Sequence, residues 1–130
     1  RADRPGSELL TKVNVKRGSF RSSHTRILMR QAGEYPVANL SLRCEIDSTD
    51  SILNARIAVG AVDRVPKRWK SLEDAVNGRN LSKINASELA KQNLNEFTGR
   101  DGADAPGWYR IRVLPRLASD AFAATSQIVS

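Results

Sequence analysis

The sequence has 130 residues, of which 40% are hydrophobic and 27% charged, as expected for one globular domain with a tail. It contains no apolar run near the roughly 18 residues that suggest a membrane span, and its one cysteine excludes an internal disulfide and a cysteine-rich metal site. The net charge of +7 raises nucleic acid as a partner, but the basic residues are dispersed and aromatic residues make up only 5%, few for base stacking.

The first part of the chain is expected to be loosely organised, and the chain itself is interpreted as a fragment because it starts without Met. Residues 9–16 alternate in polarity and predict a short strand. Residues 17–25 are rich in Gly, Ser and Arg and predict a linker. We therefore expect residues 1–25 to be a loose N-terminal segment that holds a strand and a linker, and residues 26–130 to be one α+β domain.

Two strands with one buried face are predicted in the middle of the chain. In residues 37–46 and again in residues 52–62, apolar and polar side chains alternate. The polar turn 47–51 between them predicts an antiparallel hairpin. Gly60 in the second strand indicates a bulge or a close backbone approach, and residues 65–69 predict a short edge strand. The apolar positions are Ala38, Leu40, Leu42, Cys44, Ile46, Leu53, Ala55, Ile57, Val59 and Ala61.

Three helices are predicted after the strands. Ser71 with Asp74 is typical of a capping box for the first, and Asn85 with Glu88 for the second. The third is predicted from Trp108 to about residue 124, with a kink at Pro115. Strands followed by helices predict an α+β fold, an antiparallel sheet of three or four strands with three helices packed on one face. The expected core residues are Leu40, Leu42, Ile57, Val59, Leu89, Leu94, Leu114 and Leu117.

Five segments resemble, in order, sequences of one known family. Glu8–Val15 is similar to "ELITEIRIP", and Arg30–Tyr35 to "RKIGDYA". The strand 52–62 with its continuation to Arg68 resembles "ARIALGGVAPTPVRA". Residues 75–81 are similar to "ALAGKPL", and 109–117 to "YRRxVLPxL". The family is the C-terminal domain of the FAD-binding subunit of molybdenum hydroxylases, which include xanthine dehydrogenase and carbon monoxide dehydrogenase.

The resemblance covers roughly residues 8–124 and implies a supporting role in flavin electron transfer and subunit contacts, without chemistry of its own. It implies FAD in the intact subunit, held by two preceding domains, and none on this fragment alone. It also implies partners: the preceding FAD-binding domains of the same subunit, and separate molybdopterin and iron–sulfur subunits. Nucleic acid and membrane are not expected partners. A cytoplasmic location is expected, and the single thiol fits a reducing compartment.

Cofactor-binding candidates, in the intact subunit only, are Arg26 and Arg30, which the resemblance places at the domain junction. There they would lie beside the flavin, although an interdomain salt bridge with Glu34 is the simpler interpretation. No catalytic or metal-binding residue is predicted. Asp101 and Asp104 flank a Gly-Ala loop without a neighbouring base, so we expect a solvated loop in which Asp104 or a neighbour caps the third helix.

The remaining candidate residues have plain structural interpretations. Cys44 lies among inward-pointing apolar positions and predicts a buried thiol. His24, the one histidine, has no cluster of ligands beside it in the sequence and predicts a surface residue. Trp69, Trp108 and Tyr109 are interpreted as core or interface anchors. Two alternatives stay open: a small basic binding module for nucleic acid or another acidic partner, and an independent small enzyme, for which no catalytic constellation is seen.

Overall fold

A computed structural model describes residues 9–12, 14, 20–28, 36–102 and 105–127. Within these residues, four strands form one antiparallel sheet in chain order. They are β1 (Arg21–Leu28), β2 (Pro36–Ile46), β3 (Ile52–Gly60) and β4 (Lys67–Arg68). The predicted hairpin is confirmed as β2 and β3, and the predicted edge strand as β4.

The prediction of a linker over residues 17–25 is wrong for its second half, which forms the strand β1. Arg21–Leu28 pairs with β2 along its length, from Arg21 opposite Cys44 to Leu28 opposite Pro36. Residues 21–25 therefore belong to the sheet. The wider division of the chain at residue 25 stays a prediction. Of the strand predicted over residues 9–16, the structure describes 9–12 and 14, which lie outside any helix or strand.

Because of a bulge in β3, its first side chains lie on the opposite sides of the sheet from those predicted. Arg43 pairs with Arg56, but two residues later Glu45 pairs with Leu53, so β3 holds one extra residue there. Asn54 takes up the irregularity with a φ of 51°. Because a bulge shifts the alternation by one residue, Ile52 is buried and Leu53 is 41% exposed, the reverse of the predicted pattern.

The helices follow the strands and cover one face of the sheet. They are α1 (Lys70–Val76), α2 (Ala86–Lys91), α3 (Gly107–Arg112) and α4 (Leu114–Ser126), with a short 3-10 helix at Leu94–Glu96. The third predicted helix is present as α3 and α4, which are separated at Val113; Pro115 lies in the first turn of α4, where its missing N–H costs nothing. The predicted α+β class, with helices on one face of an antiparallel sheet, is confirmed.

The two predicted capping boxes have different outcomes. The Asn85 side chain accepts a 3.1 Å hydrogen bond from the backbone N–H of Glu88 and caps α2 as predicted. The predicted box at Ser71 is wrong, because the N-cap residue of α1 is Trp69, the residue before the helix, and its side chain makes no capping hydrogen bond. The backbone N–H of Ser71 instead donates to the Glu96 carboxylate at 2.6 Å. That carboxylate comes from a segment 25 residues away, beyond the reach of a local motif.

The core lies between the sheet and the helices. Six of the eight predicted core residues are no more than 2% exposed, and the other two, Leu89 and Leu94, are half-buried at its margin. Trp69 is fully buried, donates from Nε1 to the Asn93 carbonyl at 2.8 Å, and meets the Phe97 ring edge-on at 5.1 Å. Trp69 is therefore a core anchor, whereas Trp108 is 63% exposed.

Gly60 is the site of a close approach, as predicted. A Cβ atom at this position would lie 2.6 Å from Oδ1 of Asn39, its partner on β2. We expect Gly60→Ala to lower the free energy of unfolding by about 1–2 kcal/mol, because the Asn39 side chain must leave its rotamer. In Asn39→Ala the space opens, so adding Gly60→Ala to that variant should cost less than half as much. Urea unfolding of all four proteins measures this coupling, and equal costs in both backgrounds would contradict it.

Candidate functional site

One of the two cofactor-binding candidates, Arg26, lies at one end of the sheet. Arg26 is an exposed residue of β1, paired with Asn39 of β2, and its side chain points to the sheet face opposite the helices. Arg30 and Glu34 lie outside the described residues. The structure therefore locates Arg26 at the end of the sheet that leads to residues 29–35, while its role in cofactor binding stays a prediction.

The face of the sheet opposite the helices carries four exposed arginines, which we call the arginine face: Arg26, Arg43, Arg56 and Arg68. They come from β1, β2, β3 and β4, one from each strand. Along the chain the basic residues are dispersed. Cross-strand pairing nevertheless gathers these four side chains on one surface, which the linear sequence does not display.

An open cavity of about 530 Å³ lies on this face. Ser22, His24 and Ser41 line it together with Arg43 and Arg56. His24 and Ser41 face each other across β1 and β2 and share a 2.7 Å hydrogen bond between Nδ1 and Oγ. His24 is thus an exposed surface residue, as predicted. The cavity is open and most of its lining surface is apolar, with arginine side chains around it, a form suited to contact with a broad partner surface.

A buried arginine supports the end of the sheet from the helical side. Arg110 of α3 is fully buried, and its Nη1 donates to the carbonyl of Val37 at 2.7 Å and to that of Ala61 at 3.1 Å. The Ala61 carbonyl also accepts from Nε of Arg100 at 3.0 Å. Arg110 therefore joins α3 to the start of β2 and to the residue after β3. Sequence reasoning did not single out this role, although Arg110 lies in the segment that resembles "YRRxVLPxL".

The carboxylates near this end hold the backbone rather than a substrate. Oδ1 of Asp63 accepts from the backbone N–H of Thr98 at 3.0 Å and of Gly99 at 2.8 Å. Asp101 accepts a 2.7 Å hydrogen bond from the backbone N–H of Gly107, the first residue of α3, and so satisfies one of the free amides at the start of that helix. Asp104 lies outside the described residues.

The other chemically active side chains also lack the surroundings of a reaction centre. Cys44 is fully buried, and burial raises the pKa of its thiol, which disfavours the reactive thiolate. Within the part of the chain that the structure describes, no group of three or more His, Cys, Asp or Glu side chains could hold a metal ion. Cys44 is thus the structural thiol that the sequence predicts.

The described residues do not enclose a flavin. A flavin dinucleotide needs convergent donors for its diphosphate and a pocket that buries most of its surface. The paired amides of Thr98 and Gly99 already bind the carboxylate of Asp63, so they are not open to a phosphate. The arginine face offers cations but only an open cavity. The described residues of this face therefore present cations on an open surface and no enclosed pocket.

No helix among the described residues has both the length and the apolar character needed to cross a bilayer. No curated protein matches the chain significantly.

Solved structures share the fold. Carbon monoxide dehydrogenase from Hydrogenophaga pseudoflava matches with a TM-score of 0.73 and 16% identity, covering 88% of this chain and 39% of that one. Reconstituted CO dehydrogenase from Oligotropha carboxidovorans gives 0.72 and 15%, with 87% and 39% covered. Quinoline 2-oxidoreductase from Pseudomonas putida 86 gives 0.70 and 16%, with 85% and 38% covered. The chain therefore spans about two-fifths of the chains that it matches.

The family described as the CO dehydrogenase flavoprotein C-terminal domain matches residues 23–125, which include all four strands from the third residue of β1 onward and nearly all of α4. The chain belongs to this family, the C-terminal domain of the flavoprotein subunit of molybdenum hydroxylases.

Proposed function

We propose that this chain supports flavin electron transfer in a molybdenum hydroxylase, as a domain that docks on the flavin-binding part of the subunit. The family match over residues 23–125 carries the proposal. The described residues offer neither a metal cluster nor an enclosed flavin pocket, and their acidic side chains near α3 are engaged in backbone capping. A supporting domain needs a firm scaffold and an exposed surface, and both are present.

The cofactor and partners follow from the same proposal. FAD would be held by preceding domains, with Arg26 and Arg30 at one edge of its site or in an interdomain salt bridge with Glu34. Molybdopterin and iron–sulfur subunits would complete the enzyme, and its location would be cytoplasmic. One of the solved relatives named above, the Hydrogenophaga enzyme, is described as lacking the Mo-pyranopterin moiety of its molybdenum cofactor, so that relative is a molybdenum enzyme.

Rigid attachment at the domain junction is the physical contribution that we assign to this domain. Arg110 joins α3 to the two strands that end there, and Asp63 joins the loop after β3 to residues 98 and 99. Electron transfer requires fixed distances between centres, so a domain that stiffens the flavoprotein near its flavin affects the rate without touching the cofactor. Any such effect should appear as altered docking before altered flavin content.

Native purification tests the proposal. A tag on the chain in its own cell, followed by mild affinity and size-exclusion chromatography, should yield an assembly that absorbs near 450 nm and contains molybdenum and iron in fixed ratio to the chain. Metal analysis and flavin extraction provide the ratios. A chain that elutes without flavin and molybdenum, while it remains folded by circular dichroism, would contradict the proposal.

A further inference from the structure

We infer that the arginine face docks on a carboxylate-rich protein surface of the flavin-carrying part of the same flavoprotein. The inference rests on the proposed function for the identity of the occupant. The chemistry rests on the described residues. Three observations support the inference: the basic residues of the face are arginines, two of these arginines lie opposite each other, and the related chains extend well beyond the region that this chain matches.

The basic residues of this face are all arginines. Within the described strands, the one lysine, Lys67, pairs with Val59 and faces the helical side, where its ammonium lies 3.5 Å from a carboxylate oxygen of Asp63. Protein interfaces are enriched in arginine and depleted in lysine, because the planar guanidinium binds carboxylates through two parallel hydrogen bonds and is weakly hydrated. The composition of the face is thus that of a protein contact.

Two of the arginines are placed against each other. Arg43 on β2 lies directly opposite Arg56 on β3, on the same side of the sheet. Like charges in this position destabilise a sheet. Arg43 also lies over the Phe20 ring, at 4.9 Å from its centroid, and Arg56 donates to its neighbouring carbonyl, Ala55. These contacts hold the guanidinium groups in place without neutralising them.

Acidic side chains on this face do not balance the arginines. Glu45 lies on the same side of β2 and accepts a hydrogen bond from the side chain of Asn54, a neutral group, so its carboxylate offsets part of the arginine charge. Glu73 is buried, binds Arg68 and also interacts with the charge of Arg56, so two carboxylates, Glu45 and Glu73, stand against the four arginines. The central pair, Arg43 and Arg56, therefore presents positive charge outward, and a surface that supplies carboxylates would relieve their repulsion on docking.

The length of the related chains indicates which protein surface binds the arginine face. Their chains extend well beyond the matched region, which is 39% of the Hydrogenophaga chain. A domain of such a flavoprotein has the remaining three-fifths of the subunit as its nearest neighbour, with an effective concentration set by the linker. Carboxylates are preferred over nucleic-acid phosphates because the face has one partly exposed aromatic ring, Phe20, and strand-borne arginines rather than a groove.

The first experiment measures the chemistry on the chain alone. Poly-L-glutamate and a 20-base-pair DNA duplex are titrated against the wild type, Arg43→Gln/Arg56→Gln and the control Arg112→Gln/Arg116→Gln, whose exposed arginines lie on the helical side. Both variants lose two charges. We expect the first variant to bind poly-L-glutamate about tenfold more weakly and the control less than about twofold. Equal losses in both variants, or tighter binding of DNA than of poly-L-glutamate, would overturn the inference.

The same face variant should be at least as stable as the wild type. Removing the repulsion between residues 43 and 56 is expected to raise the melting temperature by about 1–4 °C. A gain in stability together with a loss of binding distinguishes a docking surface from a structural one. A marked fall in the melting temperature would show that the arginines stabilise the fold instead, and would overturn the inference.

The second experiment tests the occupant in the natively purified flavin-containing assembly. Phenylglyoxal modifies accessible arginines, and mass spectrometry measures each adduct. We expect the modification of Arg43 and Arg56 to fall at least tenfold in the assembly relative to the isolated chain, with Arg112 as the control for reagent access. Undiminished reactivity in an assembly that contains flavin overturns the inference but leaves the proposed function intact. If the purified assembly contains no flavin, the result contradicts both the proposed function and the proposed partner of the arginine face.

Discussion

Replacing Arg110 by Met is expected to lower the free energy of unfolding by about 3 kcal/mol, because the buried carbonyls of Val37 and Ala61 lose the cation that binds them. Domains of this size are stable by roughly 5–15 kcal/mol, so this is a large fraction of the total. The melting temperature should fall by about 10 °C. Chemical denaturation with tryptophan fluorescence measures the change, since Trp69 is fully buried in the core.

Two further variants isolate the cause. Arg112→Met removes an exposed arginine of the same helix and should change stability by no more than about 0.5 kcal/mol. Arg110→Lys keeps the charge but not the fork of donors, so it should recover only part of the loss. If Arg110→Met were as stable as Arg112→Met, the role of Arg110 as the link between α3 and the ends of β2 and β3 would be refuted.

Replacing Glu73 by Ala is expected to cost about 2–3 kcal/mol. Glu73 lies in α1 and is 3% exposed, and its carboxylate accepts from the backbone N–H of Ile57 at 2.9 Å and from the guanidinium of Arg68 at 2.6 Å. Its removal leaves the buried Ile57 amide without this acceptor, which accounts for most of the cost. Arg68 is half-exposed, so its lost ion pair contributes less. Asp74→Ala, at the exposed neighbouring position, is the matched control.

The same carboxylate gives the stability a dependence on pH. Burial acts to raise the pKa of Glu73, but hydrogen bonds from Arg68 and Ile57 and the charges of Arg68 and Arg56 outweigh it and lower the pKa below its ordinary value of 4.5. The stabilisation is therefore present above pH 4.5 and is lost as the pH falls through the lowered pKa of the folded state. Glu73→Gln should unfold with a weaker pH dependence as the pH falls below 4.5. Identical pH profiles for Glu73→Gln and the wild type would contradict this assignment.

The central part of the fold could be predicted from the sequence because β2 and β3 bury one face against helices and expose the other. Alternation of apolar and polar residues directly predicts a strand with one buried face. The same rule failed at β1, whose inward positions include Ser23 and Thr25. Their hydroxyls donate to the carbonyls of Ala121 and Leu117 in α4 at 2.9 and 3.0 Å. A strand that packs on a helix through hydrogen bonds lacks the apolar signal and resembles a polar linker.

Where the structure differs from the prediction within a helix or strand, the cause is a single contact or a single residue, which a periodic sequence pattern does not reveal. One extra residue at Asn54 reversed the facing of Ile52 and Leu53. At α1 the carboxylate of Glu96 supplied the contact that a capping box at Ser71 was expected to make. Both results depend on contacts between segments remote in sequence or on one backbone irregularity. Neither is visible in residue types at fixed spacing.

The candidate site was less accessible to sequence reasoning than the fold. Resemblance to the family drew attention to Arg26 and Arg30, but the gathering of Arg43 and Arg56 beside Arg26 depends on the register of three strands. The register in turn depends on the bulge. The positions of the basic residues in the sequence therefore suggest a dispersed positive charge, whereas their positions on the sheet define one basic surface.

Titration of FAD into the isolated chain, followed by calorimetry and by quenching of flavin fluorescence, tests most directly the claim that this domain supports a flavin held elsewhere. We expect no saturable binding at micromolar concentrations, because the described residues meet a dinucleotide with cations on an open surface and with backbone amides already bound to Asp63. Stoichiometric binding with a micromolar dissociation constant would contradict it, since the chain would then possess a cofactor site of its own.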